Sequence, residues 1–170
     1  MPVGVGLGMT YFDDLSEYSY STGQHPPSLN VGWLEAGHAF AIAPPDERFL
    51  ATLWEFCKVS VAQSRGVHTC TLCNSEESVL VRRNGEELLL GTSEILVFAA
   101  NGGAIFSAPT LIFHYVQIHN YQPPIEFRRA VLEGPSPPRE EYFQILARAG
   151  LEWKWTSKGS GPRFRLIRCP

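Results

Sequence analysis

The sequence predicts a single α+β domain in which two β-hairpins, forming a small antiparallel meander, pack with about four helices. This fold class is indicated by two turn motifs flanked by short apolar runs, by four segments of helical periodicity, and by a length of 170 residues, which is typical of one domain. Apolar residues make up 44% of the chain, enough for one core. We therefore expect one domain over 1–170, with an irregular N-terminal arm over 1–28 and a C-terminal helix and tail over 134–170.

The first predicted helix begins near Pro45, because proline suits the first turn of a helix. Its apolar residues repeat at helical spacing as far as Cys57, which we expect to lie in the core. The helix should weaken near 61–64 and stop at Gly66. The other three helices are expected over 109–120, 124–133 and 138–149.

Two β-hairpins are predicted from their turns, Asn84-Gly85 and 101–103. Asparagine and glycine tolerate the positive φ that tight hairpin turns require. Two further strands are predicted, a short one over 30–34 and a last edge strand over 163–168. The strands of the hairpins are expected over 78–82 and 87–91, and over 94–98 and 104–107.

The residues that point to chemistry lie between the first helix and the first hairpin. Cys70 and Cys73 form a C-x2-C pair, and His68 precedes it by two positions. Thiolates and imidazoles are the ligands of zinc, and a structural zinc ion takes four of them in a tetrahedron. Gly66 and Asn74 flank this segment and permit tight turns. We therefore predict a loop that resembles a zinc knuckle.

The fourth ligand has to come from another part of the chain. His114, in the second predicted helix, is the preferred candidate and His119 is the alternative. Both would reach one ion only if the helix end unwinds, because a regular helix places residues five apart about 140° from each other. The predicted ligands of a structural zinc ion are therefore His68, Cys70, Cys73 and His114.

Two other functions remain open at this point. A zinc-dependent hydrolase would keep one metal position for water and use Glu35, His38 or His119 as its acid or base. A thiol redox protein would cycle Cys70 and Cys73 between thiols and a disulfide without a metal.

Charge and hydropathy exclude other classes of protein. The net charge of −3 argues against nucleic-acid binding, which normally requires a basic surface. No apolar run approaches the roughly 20 residues that span a bilayer, and the N-terminus lacks the basic residues of a secretory signal. We therefore expect a cytoplasmic protein.

Four blocks of the sequence resemble a family of small, functionally uncharacterised bacterial proteins. The blocks are NVGWL, RG-x-H-x-C-x-x-C, AP-x-LI-x-HYV and Y-x-PP-x-EF, and the resemblance covers roughly residues 10–133. It implies a bacterial cytosolic protein and adds weight to the four predicted ligands, but it implies no activity. The preferred interpretation is a zinc-stabilised interaction or regulatory module whose partner is another bacterial protein.

Overall fold

The computed structural model describes residues 10–20, 26–63, 66–156 and 163–168. Within these residues, helices and short strands form the predicted α+β fold. The helices are α1 (Glu47–Cys57), α2 (Ile112–His119), α3 (Ile125–Glu133) and α4 (Glu140–Arg148), and one 3-10 turn covers Thr71–Cys73. The strands are β1 (Leu29–Asn30), β2 (Val59–Ser60), β3 (Ala62–Gln63), β4 (Leu80–Arg83), β5 (Glu86–Leu89), β6 (Ser93–Phe98), β7 (Ile105–Pro109), β8 (Leu151–Thr156) and β9 (Arg163–Arg168).

Helix α1 begins where the sequence predicts and ends earlier. The Asp46 side chain caps it by accepting a hydrogen bond of 2.9 Å from the backbone N–H of Arg48. Cys57, its last residue, is buried as predicted. The chain then turns into β2 and β3, because Val59 and Val61 are buried and the N–H of Val61 bonds to the sheet. Tertiary pairing of β-branched residues therefore overrides the helical pattern expected as far as 61–64.

Both predicted hairpins are present, β4–β5 and β6–β7. Asn84 and Gly85 form the first turn with φ values of 51° and 78°. The hairpins lie in different sheets and not in one meander. Among the described strands, β4 and β5 pair with each other alone, whereas the second hairpin belongs to a sheet of order β1-β7-β6-β3. Gly91, at a φ of 85°, turns the chain between them, and its N–H donates to the hydroxyl of Thr110.

The two remaining predicted strands differ from expectation in length or place. The strand expected over 30–34 is only the two residues of β1, because Gly32 at a φ of 72° takes the backbone out of the sheet. The strand over 163–168 is β9, but it lies in the middle of a sheet of order β2-β9-β8 and not at an edge. In the described part of the arm, Glu17 forms a single bridge to Leu29.

The core lies between β6 and β7 on one side and helices α1 to α3 on the other. All six residues of β6 are buried, and so are residues 112–116 of α2. Helix α2 is therefore fixed along most of its length before its last turn. None of the helices in the described residues has the length and apolar character needed to cross a membrane.

Replacing Gly85 with valine should lower the free energy of unfolding by about 1–2 kcal/mol, because a side chain in the left-handed region is strained by that amount. Gly85→Asn is the matched control at the same position, since asparagine tolerates positive φ, and it should cost much less. Urea denaturation of both variants measures the difference. Equal losses for the two variants would contradict this account of the turn.

Candidate metal centre

Four side chains converge into one group, which we call the metal centre: Cys70, Cys73, His114 and His119. Their ligand atoms all lie within 4.8 Å of one another. The Cys73 Sγ is 3.2 Å from the Nε2 of each histidine, and the Cys70 Sγ is 3.3 Å from the Nε2 of His119. In a tetrahedral zinc site these sulfur–nitrogen separations are about 3.6 Å, so small shifts would accommodate an ion. Two sulfurs and two imidazole nitrogens are a donor set typical of structural zinc.

The two cysteines are held by the 3-10 turn. The N–H of Cys73 donates to the carbonyl of Cys70 over 3.3 Å, and Asn74 ends the turn in the left-handed region at a φ of 50°. Cys70 is buried and Cys73 is exposed. The hydroxyl of Thr71 accepts a 2.9 Å hydrogen bond from the N–H of Ala36, which fastens a second loop to the turn. The predicted tight turn at Asn74 is therefore present.

The two histidines reach the same point because the last turn of α2 is wider than an α-helical turn. His119 is the last residue of α2, and the N–H groups of Asn120 and Tyr121 both bond to the carbonyl of Tyr115, five and six residues back. A turn closed over five residues takes in more chain than a regular turn, so residues five apart come closer to one face. The ring centroids of His114 and His119 are 5.1 Å apart. The helix end is thus unwound, which is the condition under which both histidines can reach one ion.

His68, the remaining predicted ligand, lies outside the metal centre, and His119 stands in its place. The N–H of His68 donates to the carbonyl of Gly91 over 2.8 Å, and its Nε2 is 3.4 Å from the hydroxyl of Tyr20. Its Nδ1 is buried and has no hydrogen-bond partner among the residues that the structure describes. The clamp to Gly91 is tight, because a Cβ at that glycine would lie 2.2 Å from the carbonyl oxygen of His68. The backbone of His68 is thus fixed against the turn before β6, and its ring contacts the N-terminal arm.

Burial sets the protonation of the donors. Desolvation, with a smaller contribution from His119, lowers the pKa of His114 to about 4, and burial also lowers the pKa of His119. Both imidazoles are therefore neutral near pH 7, which is the form that binds a metal. Burial, followed by the contact with Cys73, raises the pKa of the Cys70 thiol to about 11. That thiol stays protonated until a cation displaces its proton, whereas redox-active cysteines have lowered pKa values.

The candidate acid–base residues of a hydrolase lie outside the metal centre. Glu35 and His38 pair with each other over 3.8 Å, and both side chains are more than a third exposed. The ring of His38 also stacks on Tyr11, with centroids 3.7 Å apart. His119, the third candidate, is a member of the metal centre itself.

Fold and site together define a small α+β domain with a Cys2His2 donor set. The chain belongs to the family described as a domain of unknown function (DUF7919), whose model matches residues 10–132. No curated protein and no solved structure matches the chain significantly. The match includes all four donors and ends near the end of α3, so α4, β8 and β9 follow it. A functionally uncharacterised family is what the sequence blocks implied, and the bacterial origin stays a prediction.

In the metal-free protein, the ring of His114 should remain neutral down to about pH 4, and in the urea-unfolded chain it should titrate near 6.5. Because only the unfolded state takes up this proton between those values, the contribution of His114 to stability is present above about pH 6.5 and is lost as the pH falls towards 4. Nuclear magnetic resonance of the histidine ring protons measures both midpoints. A native midpoint near 6.5 would contradict the burial that we describe.

Proposed function

We propose that the protein binds one zinc ion through Cys70, Cys73, His114 and His119 and that this ion is structural. The observation that carries the proposal is the convergence of two thiols and two neutral imidazoles within 4.8 Å. The cysteines and histidines come from segments 41 to 49 positions apart, so local sequence alone does not bring them together. Thiolate and imidazole ligands favour zinc over magnesium or calcium, which prefer oxygen.

The zinc ion would act as a cross-link between the 3-10 turn and the last turn of α2. Zinc-finger peptides gain an apparent 10–16 kcal/mol from such binding at pH 7. Here a buried core already exists without the ion, so we expect zinc to order the turn and the helix end more than to create the fold. The ordered 3-10 turn would also hold the loop at Ala36, whose N–H donates to the hydroxyl of Thr71.

The geometry favours a structural ion over a catalytic one. Four protein donors fill a tetrahedral shell, so no position remains for the water that a hydrolase activates. His119 serves as a ligand in this arrangement and is not free as an acid or base. The convergence of two imidazoles on the two sulfurs also favours metal binding over the redox alternative, since a C-x2-C redox pair needs no imidazole donors.

We propose accordingly that the domain is an interaction or regulatory module and not an enzyme. Its net charge of −3 favours a protein partner over a nucleic acid. Within the described part of the chain, Cys57, Cys70 and Cys73 form no disulfide, which suits a reducing compartment such as the cytoplasm.

Elemental analysis of the purified protein should find about one zinc per chain. The variants Cys73→Ser and His119→Ala should each lose most of the metal and melt at a lower temperature. The matched control is His68→Ala, which removes a neighbouring histidine outside the metal centre and should retain a full equivalent. Zinc-free wild-type protein, or loss of zinc in His68→Ala but not in His119→Ala, would overturn the proposed ligand set.

Cobalt substitution distinguishes a structural from a catalytic ion. We expect the cobalt protein to show an intense visible spectrum typical of four-coordinate geometry, which added azide leaves unchanged because no position is open. A spectrum that shifts on titration with azide would establish an exchangeable position and favour the hydrolase.

A further inference from the structure

A buried tyrosine that closely follows the metal centre in the chain donates a hydrogen bond to a carboxylate of the N-terminal arm. Tyr121 follows His119 by two positions, and its side chain is only 1% exposed. Its hydroxyl lies 2.9 and 2.8 Å from the two carboxylate oxygens of Asp14, to which it donates. The same carboxylate accepts a 2.9 Å hydrogen bond from the N–H of Gly32. Asp14 thus joins the N-terminal arm, the segment after β1 and the end of α2.

The backbone at Tyr121 is part of the widened turn that brings His119 to the metal centre. The N–H of Tyr121 bonds to the carbonyl of Tyr115 over 3.1 Å, and Asn120 adopts the left-handed conformation at a φ of 55°. The carbonyl of Asn120 accepts a 2.9 Å bond from the N–H of Ala43. The backbone of Tyr121 is therefore one of the groups that close the wide turn.

We propose that Asp14 and Tyr121 are positioning residues of the metal centre. Their contact anchors the chain immediately after α2, so that the last turn stays wide and His119 remains on the side of Cys70 and Cys73. In a regular turn His119 would point about 140° away from His114 and leave the ion with three protein ligands. The inference rests on the proposed zinc function. These two residues would act through the backbone after His119, one step further from the ion than the outer-shell hydrogen bonds made directly to ligands in other metal sites.

The contact also links metal binding to the docking of the arm. Two backbone hydrogen bonds hold the arm near Asp14 against the segment around β1. The N–H of Leu15 donates to the carbonyl of Asn30 over 2.7 Å, and the N–H of Tyr18 donates to the carbonyl of Ser28 over 2.9 Å. If Asp14 favours the wide turn, then an ion bound at that turn favours the docked arm by the same free energy. Zinc should accordingly slow hydrogen exchange at the N–H of Leu15.

The test compares Tyr121→Phe with Tyr142→Phe. Tyr142 is the matched control, because its hydroxyl is buried and donates over 2.8 Å to the carbonyl of Leu96, in the middle of β6. Each variant removes the hydrogen bond of one buried tyrosine residue, partly buried at Asp14 and fully buried at Leu96, so both metal-free proteins should lose stability. Only Tyr121→Phe should lower zinc affinity, by about 10–100-fold in competition with a chromophoric chelator. Its cobalt spectrum should also show weaker bands, as expected when one nitrogen ligand is replaced by water.

Asp14 provides a second route should Tyr121→Phe fold poorly. Asp14→Ala should reduce zinc affinity to a similar extent, and Asp14→Asn should restore part of it, because an amide oxygen can still accept from the hydroxyl of Tyr121. Unchanged zinc affinity in Tyr121→Phe or Asp14→Ala overturns the positioning role while leaving the zinc function in place. An equal loss in Tyr121→Phe and Tyr142→Phe overturns it as well, because the effect would then be general. Wild-type protein that binds no zinc refutes the zinc function itself.

Discussion

The candidate site of this protein depends on the contact of the sulfur atoms of Cys70 and Cys73 with the imidazole nitrogens of His114 and His119. It joins a short polar turn to the end of a helix whose residues 112–116 are buried in the core. The apolar packing of the turn is limited to the buried Cys70 at its start and the partly buried Leu72. A metal ion would supply what the packing lacks. The contact of Thr71 would then support the 3-10 turn, and the contact of Asp14 would support the end of α2.

Much of the fold follows from local chemistry that is visible in the sequence. The hairpin turn at Asn84 was predictable because positive φ is a property of the residues themselves, and the start of α1 was predictable from Pro45 and Asp46. The end of α1 was not, because Val59 leaves the helix only through pairing with distant strands. The arrangement of the two hairpins in separate sheets was not predictable either. It depends on Gly91, whose left-handed conformation redirects the chain between them.

The site was predictable in its chemistry and less so in its geometry. The C-x2-C spacing and His114 identify the kind of centre from ligand preferences alone. Proximity in sequence favours His68 as a ligand. The backbone of His68 is instead held close to Gly91 by a hydrogen bond, and its side chain lies outside the metal centre. His119 was disfavoured by the 140° separation on a regular helix. That separation assumes that the helix stays regular as far as His119. Asn120 is the residue that could have indicated otherwise, because asparagine readily adopts the left-handed conformation and here ends the helix with a wide turn.

The coordination of the ion can be measured by X-ray absorption at the zinc edge of the purified native protein. We expect two sulfur atoms at about 2.3 Å and two imidazole nitrogens at about 2.0–2.1 Å around the zinc, with no oxygen ligand. A shell with one sulfur, or one with an oxygen in place of an imidazole, would contradict the closed Cys2His2 site.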